Sequence, residues 1–179
     1  MKLTTPLTDE AVANLKIGDK VLLSGVIYTA RDAAHKRMVD DIKAGKPPFD
    51  LKGQVIYYVG PTPERPGEVI GSAGPTTAYR MDAYTPFLLE RGLKATIAKG
   101  ERAPAVIDAM KKFKAVYLVA TGGAAALIRG CIKKAQVIAY PDLGPEAVRR
   151  LEVLDFPLTV ANDIHGNDLF KEGVNKYRR

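Results

Sequence analysis

Apolar residues fall along this chain in two rhythms, and the alternation between them predicts its elements. Residues 20–28, KVLLSGVIY, are a dense run rich in Val, Leu and Ile and read as a strand. Residues 30–42 instead set Ala33, Ala34, Met38 and Ile42 at helical spacing. Gly45, Lys46, Pro47 and Pro48 end that helix, and residues 54–59 form a second buried-type strand closed by Gly60 and Pro61. Residues 61–67 contain three prolines and predict an exposed loop. A turn at residues 72–77 leads into a helix expected over 78–91. Strand and helix then alternate, with strands expected at 94–98, 115–120, 136–140 and 156–161, and helices at 103–112, 123–131 and 145–150. The tail after Asp168 reads as edge or surface.

Strands separated by helices of about ten residues argue for a layered α/β domain with a largely parallel sheet and covering helices. No linker or repeat divides the chain, so residues 1–179 read as one domain. In open α/β sheets, ligands gather where strands end and helices begin, because helix N-termini offer unpaired N–H groups to anions.

Three such junctions carry candidate chemistry. In the first, Arg31 stands at the strand-to-helix switch, where a guanidinium can meet a carboxylate through two parallel hydrogen bonds, with His35 one turn on. The same spacing also suits a solvated Arg31 and a structural His35. The second, residues 71–82 (GSAGPTTAYRMD), is the most informative. Its glycines let backbone approach a ligand, Pro75 stiffens the turn, and Ser72, Thr76, Thr77 and Arg80 add hydroxyls and a cation. Capping a helix would account for Thr76 or Thr77, though not for the Gly–Pro frame and the arginine. The third is Lys99 before Gly100, a weak signal alone. Residues 121–126 (TGGAAA) also open a helix after a strand. They lack the spacing of a dinucleotide fingerprint and the lysine of a P-loop, so tight helix–sheet packing is the simpler reading.

Composition narrows the chemistry further. Cys131 is the sole cysteine, so this chain forms no internal disulfide and holds no iron–sulfur cluster by its own thiolates. With only His35 and His165 besides, zinc-site spacing is absent as well. A net charge of +7 points to anionic partners. The cations are interspersed with acids, and there is no Trp and no basic run interleaved with aromatics, which favours small anions over nucleic acid. No apolar run approaches the ~20 residues of a membrane span, and the N-terminus lacks a signal-peptide order, so a cytoplasmic chain is expected.

The order of these motifs is recognisable. Residues 24–37 (SGVIYTARDAAHKR), Gly74, Pro75, Thr76 and Thr77 with Arg80, Met81 and Asp82, Lys99 with Gly100, and residues 122–127 (GGAAAL) together resemble the beta subunit of class I fumarases. Residues 142–147 and 151–160 resemble it too, so the likeness runs through nearly the whole chain. The resemblance implies a swivelling three-layer β/β/α domain that works with an alpha subunit, whose cysteines hold a [4Fe–4S] cluster. It also implies reversible hydration of fumarate to L-malate, with Arg31, Arg80 and Lys99 binding the dicarboxylate beside Gly74. Thr76 is the expected base, with Thr77 the alternative, while His35 and Ser72 are supporting residues. No metal is expected on this chain, and a heterotetramer or dimer of heterodimers is the implied assembly. Ala78, Tyr79 and Ala98 depart from the family pattern, which bears on substrate shape more than on reaction type.

The nearest rival is the beta subunit of L-tartrate dehydratase. That subunit usually has a Gly-rich stretch with Met after its site lysine, whereas residues 99–104 here read KGERAP. The turn at 121–127 also looks more like fumarase. A non-catalytic module binding anions or nucleic acid is the reading from another class, and it predicts salt-sensitive binding to polyanions by the isolated chain.

Overall fold

Lys20–Thr29 (β2) is the strand around which the others assemble. On one edge it pairs in parallel with Lys2–Thr4 (β1) and then with Val55–Tyr57 (β3). Ala95–Ala98 (β4) and Val116–Val119 (β5) extend the parallel row from β3. The long strand Val148–Asn162 (β7) runs antiparallel to the opposite edge of β2 and also to β5. Strands β2, β3, β4, β5 and β7 therefore close on themselves, and Ile132–Ala139 (β6) hangs on the free part of β7. The computed structural model describes residues 1–178.

This closure makes two cores. Inside the ring lie Ile27, Val55, Tyr57, Ile97, Leu118 and Phe156. Outside it, Ile56, Tyr58 and Tyr117 pack beneath three helices: Asp32–Lys43 (α2), Thr85–Glu90 (α3) and Pro104–Phe113 (α4). Successive strand residues thus serve opposite cores, which is why β3, β4 and β5 read as unbroken apolar runs. A one-residue slip of β3 would exchange Tyr57 with Tyr58 between cores, so the register is strongly set.

The α/β expectation holds, with a mixed sheet in place of a largely parallel one. The four parallel pairings belong to β1 through β5, and every pairing of β7 is antiparallel. The link between β6 and β7 is too short for a crossover helix. It holds only a 3-10 turn, Pro141–Glu146, in which Gly144 takes a positive φ of 57° before Pro145. That Gly–Pro break also explains why the helix expected at 145–150 is instead the end of this turn and the start of β7.

The helix expected over 78–91 divides in two for a similar reason. Ala78–Met81 is a 3-10 turn, and α3 begins afresh with Pro86 in its first turn, where a missing N–H costs nothing. The first 19 residues show no clear periodicity, yet they supply β1 and the helix Asp9–Ala13 (α1). Ala125–Cys131 (α5) lies within its expected span. The tail is a surface helix, Leu169–Tyr177 (α6), whose first N–H groups are capped by Asp168. No helix among the described residues is long and apolar enough to cross a membrane.

Candidate functional site

The loop after β3 returns to the sheet and slots between the extensions of β3 and β4. Thr76 donates its backbone N–H to the Tyr58 carbonyl at 2.7 Å, and Lys99 donates to the Thr76 carbonyl at 3.1 Å. Ala78 then donates to the Lys99 carbonyl at 2.8 Å, so Thr77 and Lys99 are parallel bridge partners. Residues 22 positions apart in sequence are in this way fixed side by side at one sheet edge. Gly100, with φ of 81°, turns the chain away beneath Thr77. A side chain there would be strained by its backbone, and its Cβ would touch the Thr77 methyl group at 3.4 Å.

Buried contacts hold this loop from both ends. The Tyr57 hydroxyl, inside the ring, donates to the Ala73 carbonyl at 2.6 Å. Gly74 passes so close to α5 that a Cβ would lie 3.1 Å from that of Ala125. After the 3-10 turn, Asp82 pairs with the guanidinium of Arg102 at 2.8 Å and accepts the Ala103 N–H at 2.7 Å. Arg102 is buried, donates to Thr85 and Thr96, and lies between the rings of Tyr58 and Tyr117. Its ionic and hydrogen-bonding partners offset the cost of burying the charge. Sequence reasoning assigned Arg102 no role, since nothing local marks it as different from a surface arginine.

Arg31 enters the same edge from β2. It occupies the N-cap position of α2 in extended conformation, and its guanidinium lies over Gly60. A Cβ at Gly60 would come within 2.6 Å of Arg31 Nη1, so a larger residue there would push the guanidinium from its place. Arg31 Nη2 sits 3.5 Å from Glu146, whose other oxygen accepts the Ala33 N–H at the start of α2. His35 is fully buried behind it. With Nδ1 protonated, the ring donates to the Arg31 carbonyl at 2.9 Å while its edge meets the Tyr58 ring. Burial pulls its pKa down to about 4, which keeps it neutral at pH 7. His35 therefore supports the Arg31 backbone and does not reach the open crevice.

Arg80 completes the group from the 3-10 turn. Its Nε donates to Asp32 Oδ1 at 3.0 Å and its Nη2 lies in ionic contact 2.7 Å from Oδ2, so it pairs with the residue beside Arg31. Arg31, Thr76, Thr77, Arg80 and Lys99 are thus drawn to one edge through the Gly60, Tyr58, Lys99 and Asp32 contacts. Ser72 stands apart. It is exposed, and its main chain pairs with Thr62 at 2.8 and 3.1 Å. Sequence reasoning did not single out the acids Asp32 and Glu146. Asp32 lay in view next to Arg31, but its partner is 48 residues away.

Three cations beside a hydroxyl suit a small molecule with carboxylates, because each guanidinium can take a carboxylate edge-on. A cavity of about 320 Å³ elsewhere, between the 61–70 loop and β6, is a poorer anion site. Its Arg149 is spent on the carbonyls of Gly144, Pro145 and Ala147. Among the described residues, no group of three or more His, Cys, Asp or Glu could hold a metal ion. Cys131 lies half-buried in α5 with its thiol pKa pushed up by burial, so these residues do not fit an iron–sulfur cluster.

Comparison with known families bears on this arrangement directly. The family model described as the fumarase C-terminus matches residues 1–173. The chain belongs to the fumarase C-terminal family. Among relatives, the putative L(+)-tartrate dehydratase subunit beta of Methanocaldococcus jannaschii is 42% identical over 177 residues, covering 95% of this chain and 90% of that protein. The anaerobic class I fumarate hydratase of Escherichia coli is 42% identical over 163 residues, 89% of this chain and 30% of the enzyme. Fumarate hydratase 2 of Leishmania major is 40% identical over 166 residues, 91% of this chain and 29% of that protein. The chain spans about a third of the length of the fumarate hydratases it matches.

Proposed function

We propose that this chain is the beta subunit of a class I fumarate hydratase, catalysing the reversible hydration of fumarate to L-malate with a cysteine-bearing alpha subunit. The gathering of Arg31, Arg80 and Lys99 at the sheet edge that also carries Thr76 supports the reading. Dehydrating malate requires a proton to leave the carbon next to a carboxylate while the hydroxyl departs from its neighbour. Arg31, Arg80 and Lys99 bind the two carboxylates and stabilise the negative charge that spreads onto one of them. Thr76 is the group that takes and returns the carbon-bound proton. A threonine hydroxyl is a weak base, and the surrounding cations favour its deprotonated form.

A [4Fe–4S] cluster on the alpha subunit supplies the Lewis acid for the leaving hydroxyl. Fumarate hydratases about three times this length support the reading, because in them the matched segment is joined to a larger remainder. On this proposal residues 1–179 act as one swivelling β/β/α module of a cytoplasmic heterotetramer, closing over substrate held by its partner.

One observation favours a second substrate. The relative matched over 90% of its own length is named for tartrate, not fumarate. Tartrate carries one more hydroxyl than malate, and the same cations would receive its carboxylates. Reconstituting the chain anaerobically with its partner and comparing malate with L-tartrate separates the two. Faster turnover of malate is expected, and dominance of tartrate would reassign the substrate.

A further inference from the structure

Asp32 belongs to the first turn of α2, yet its carboxylate is engaged by an arginine from a distant turn. Oδ1 accepts from Nε of Arg80 at 3.0 Å, and Oδ2 lies in ionic contact 2.7 Å from Nη2. This is the side edge of the guanidinium. The end edge, formed by Nη1 and the second hydrogen of Nη2, remains open for another carboxylate. We propose that Asp32 is a positioning residue, which holds the Arg80 fork so that its end edge meets a substrate carboxylate. The inference rests on reading the crevice as a dicarboxylate pocket.

Two features support positioning over simple charge pairing. Arg80 rises from a 3-10 turn of only four residues and is about two-fifths exposed, so the long side chain would otherwise sample many rotamers. Asp32, in contrast, is fixed by its helix, where the N-terminal dipole favours a carboxylate. The helix thus lends its rigidity to the arginine before substrate arrives, and substrate need not pay that ordering cost. Arg31 has separate restraints in Gly60 and Glu146, so a change at Asp32 reports on Arg80.

The sign of the effect distinguishes positioning from competition. If Asp32 merely competed with substrate for Arg80, removing its charge would make the crevice more positive and tighten dicarboxylate binding. If it positions Arg80, Asp32→Asn loosens the fork, because an amide accepts from one N–H and turns its own donor toward the other. In the enzyme reconstituted with its partner, Asp32→Asn should raise KM for fumarate about tenfold, the scale of one charge-assisted hydrogen bond. Asp32→Glu should restore much of the loss. In an Arg80→Lys background, Asp32→Asn should add little, because the fork it orients is gone.

An unchanged or lowered KM in Asp32→Asn overturns the inference, as does full additivity with Arg80→Lys. Should the Asn variant fail to assemble, Asp32→Ser decides: a raised KM supports positioning and an unchanged or lowered KM contradicts it, with unchanged binding expected in the Ser/Lys double variant relative to Lys alone. A marked further rise of KM in that double variant contradicts it. Absence of any hydratase turnover in the wild-type complex would instead remove the pocket reading, and this inference with it.

Discussion

Thr76 shares its sheet edge with Arg31, Arg80 and Lys99, and its neighbour Thr77 offers a natural control. Thr77 has its methyl group near Gly100 and pairs with Lys99 through the backbone. Both residues take extended or half-buried positions that valine tolerates. Thr76→Val should therefore leave assembly intact and reduce turnover by at least about 100-fold, the lower range of general acid–base contributions. Thr77→Val should cost far less. Steady-state rates of both variants check this, and the reverse ranking would make Thr77 the base. At this scale the candidate site was largely legible, since Arg31, Thr76, Arg80 and Lys99 lie in short motifs at strand ends. The acids beside them were not, because Asp32 meets Arg80, and Glu146 meets Arg31, across separations that only the fold defines.

Among the elements, α2 bears most directly on the site, because its first turn carries Arg31 and Asp32 and is fastened from within by His35. The buried ring has a pKa of about 4, against an ordinary value of 6.5, with burial the principal cause. Between those values the unfolded chain binds a proton that the folded chain refuses. The stability contributed by neutral His35 is therefore complete above about pH 6.5 and is lost as pH falls toward 4. At pH 5 the loss should be about 2 kcal/mol, from ~1.4 kcal/mol per pH unit. Urea unfolding at pH 7 and pH 5 checks it: wild type should lose that much more than His35→Gln, which cannot titrate. Equal losses would show that His35 is not held neutral. The helix itself was plain from its spacing, and β3, β4 and β5 from their apolar runs. What patterning missed were interruptions such as Pro86, which restarts a helix within one continuous-looking pattern, and Asp155, whose φ of 50° lies at the irregularity between β2 and β7.

For the whole molecule, the closed ring of β2, β3, β4, β5 and β7 is the feature that sequence periodicity concealed. Closure depends on the second edge of β2 meeting a strand more than 120 residues later, and no local pattern encodes that pairing. The ring gathers the ends of β2, β3 and β4 on one side and so assembles cations and hydroxyl into an exposed edge. On the proposed function, that edge is half of a pocket whose other half is the alpha subunit. The most direct test is anaerobic assay of malate dehydration by this chain alone and then with the alpha subunit added. The account predicts no turnover and no bound iron for the isolated chain, with fumarate formed once the partner is present. Full-rate dehydration by the solitary chain would contradict it.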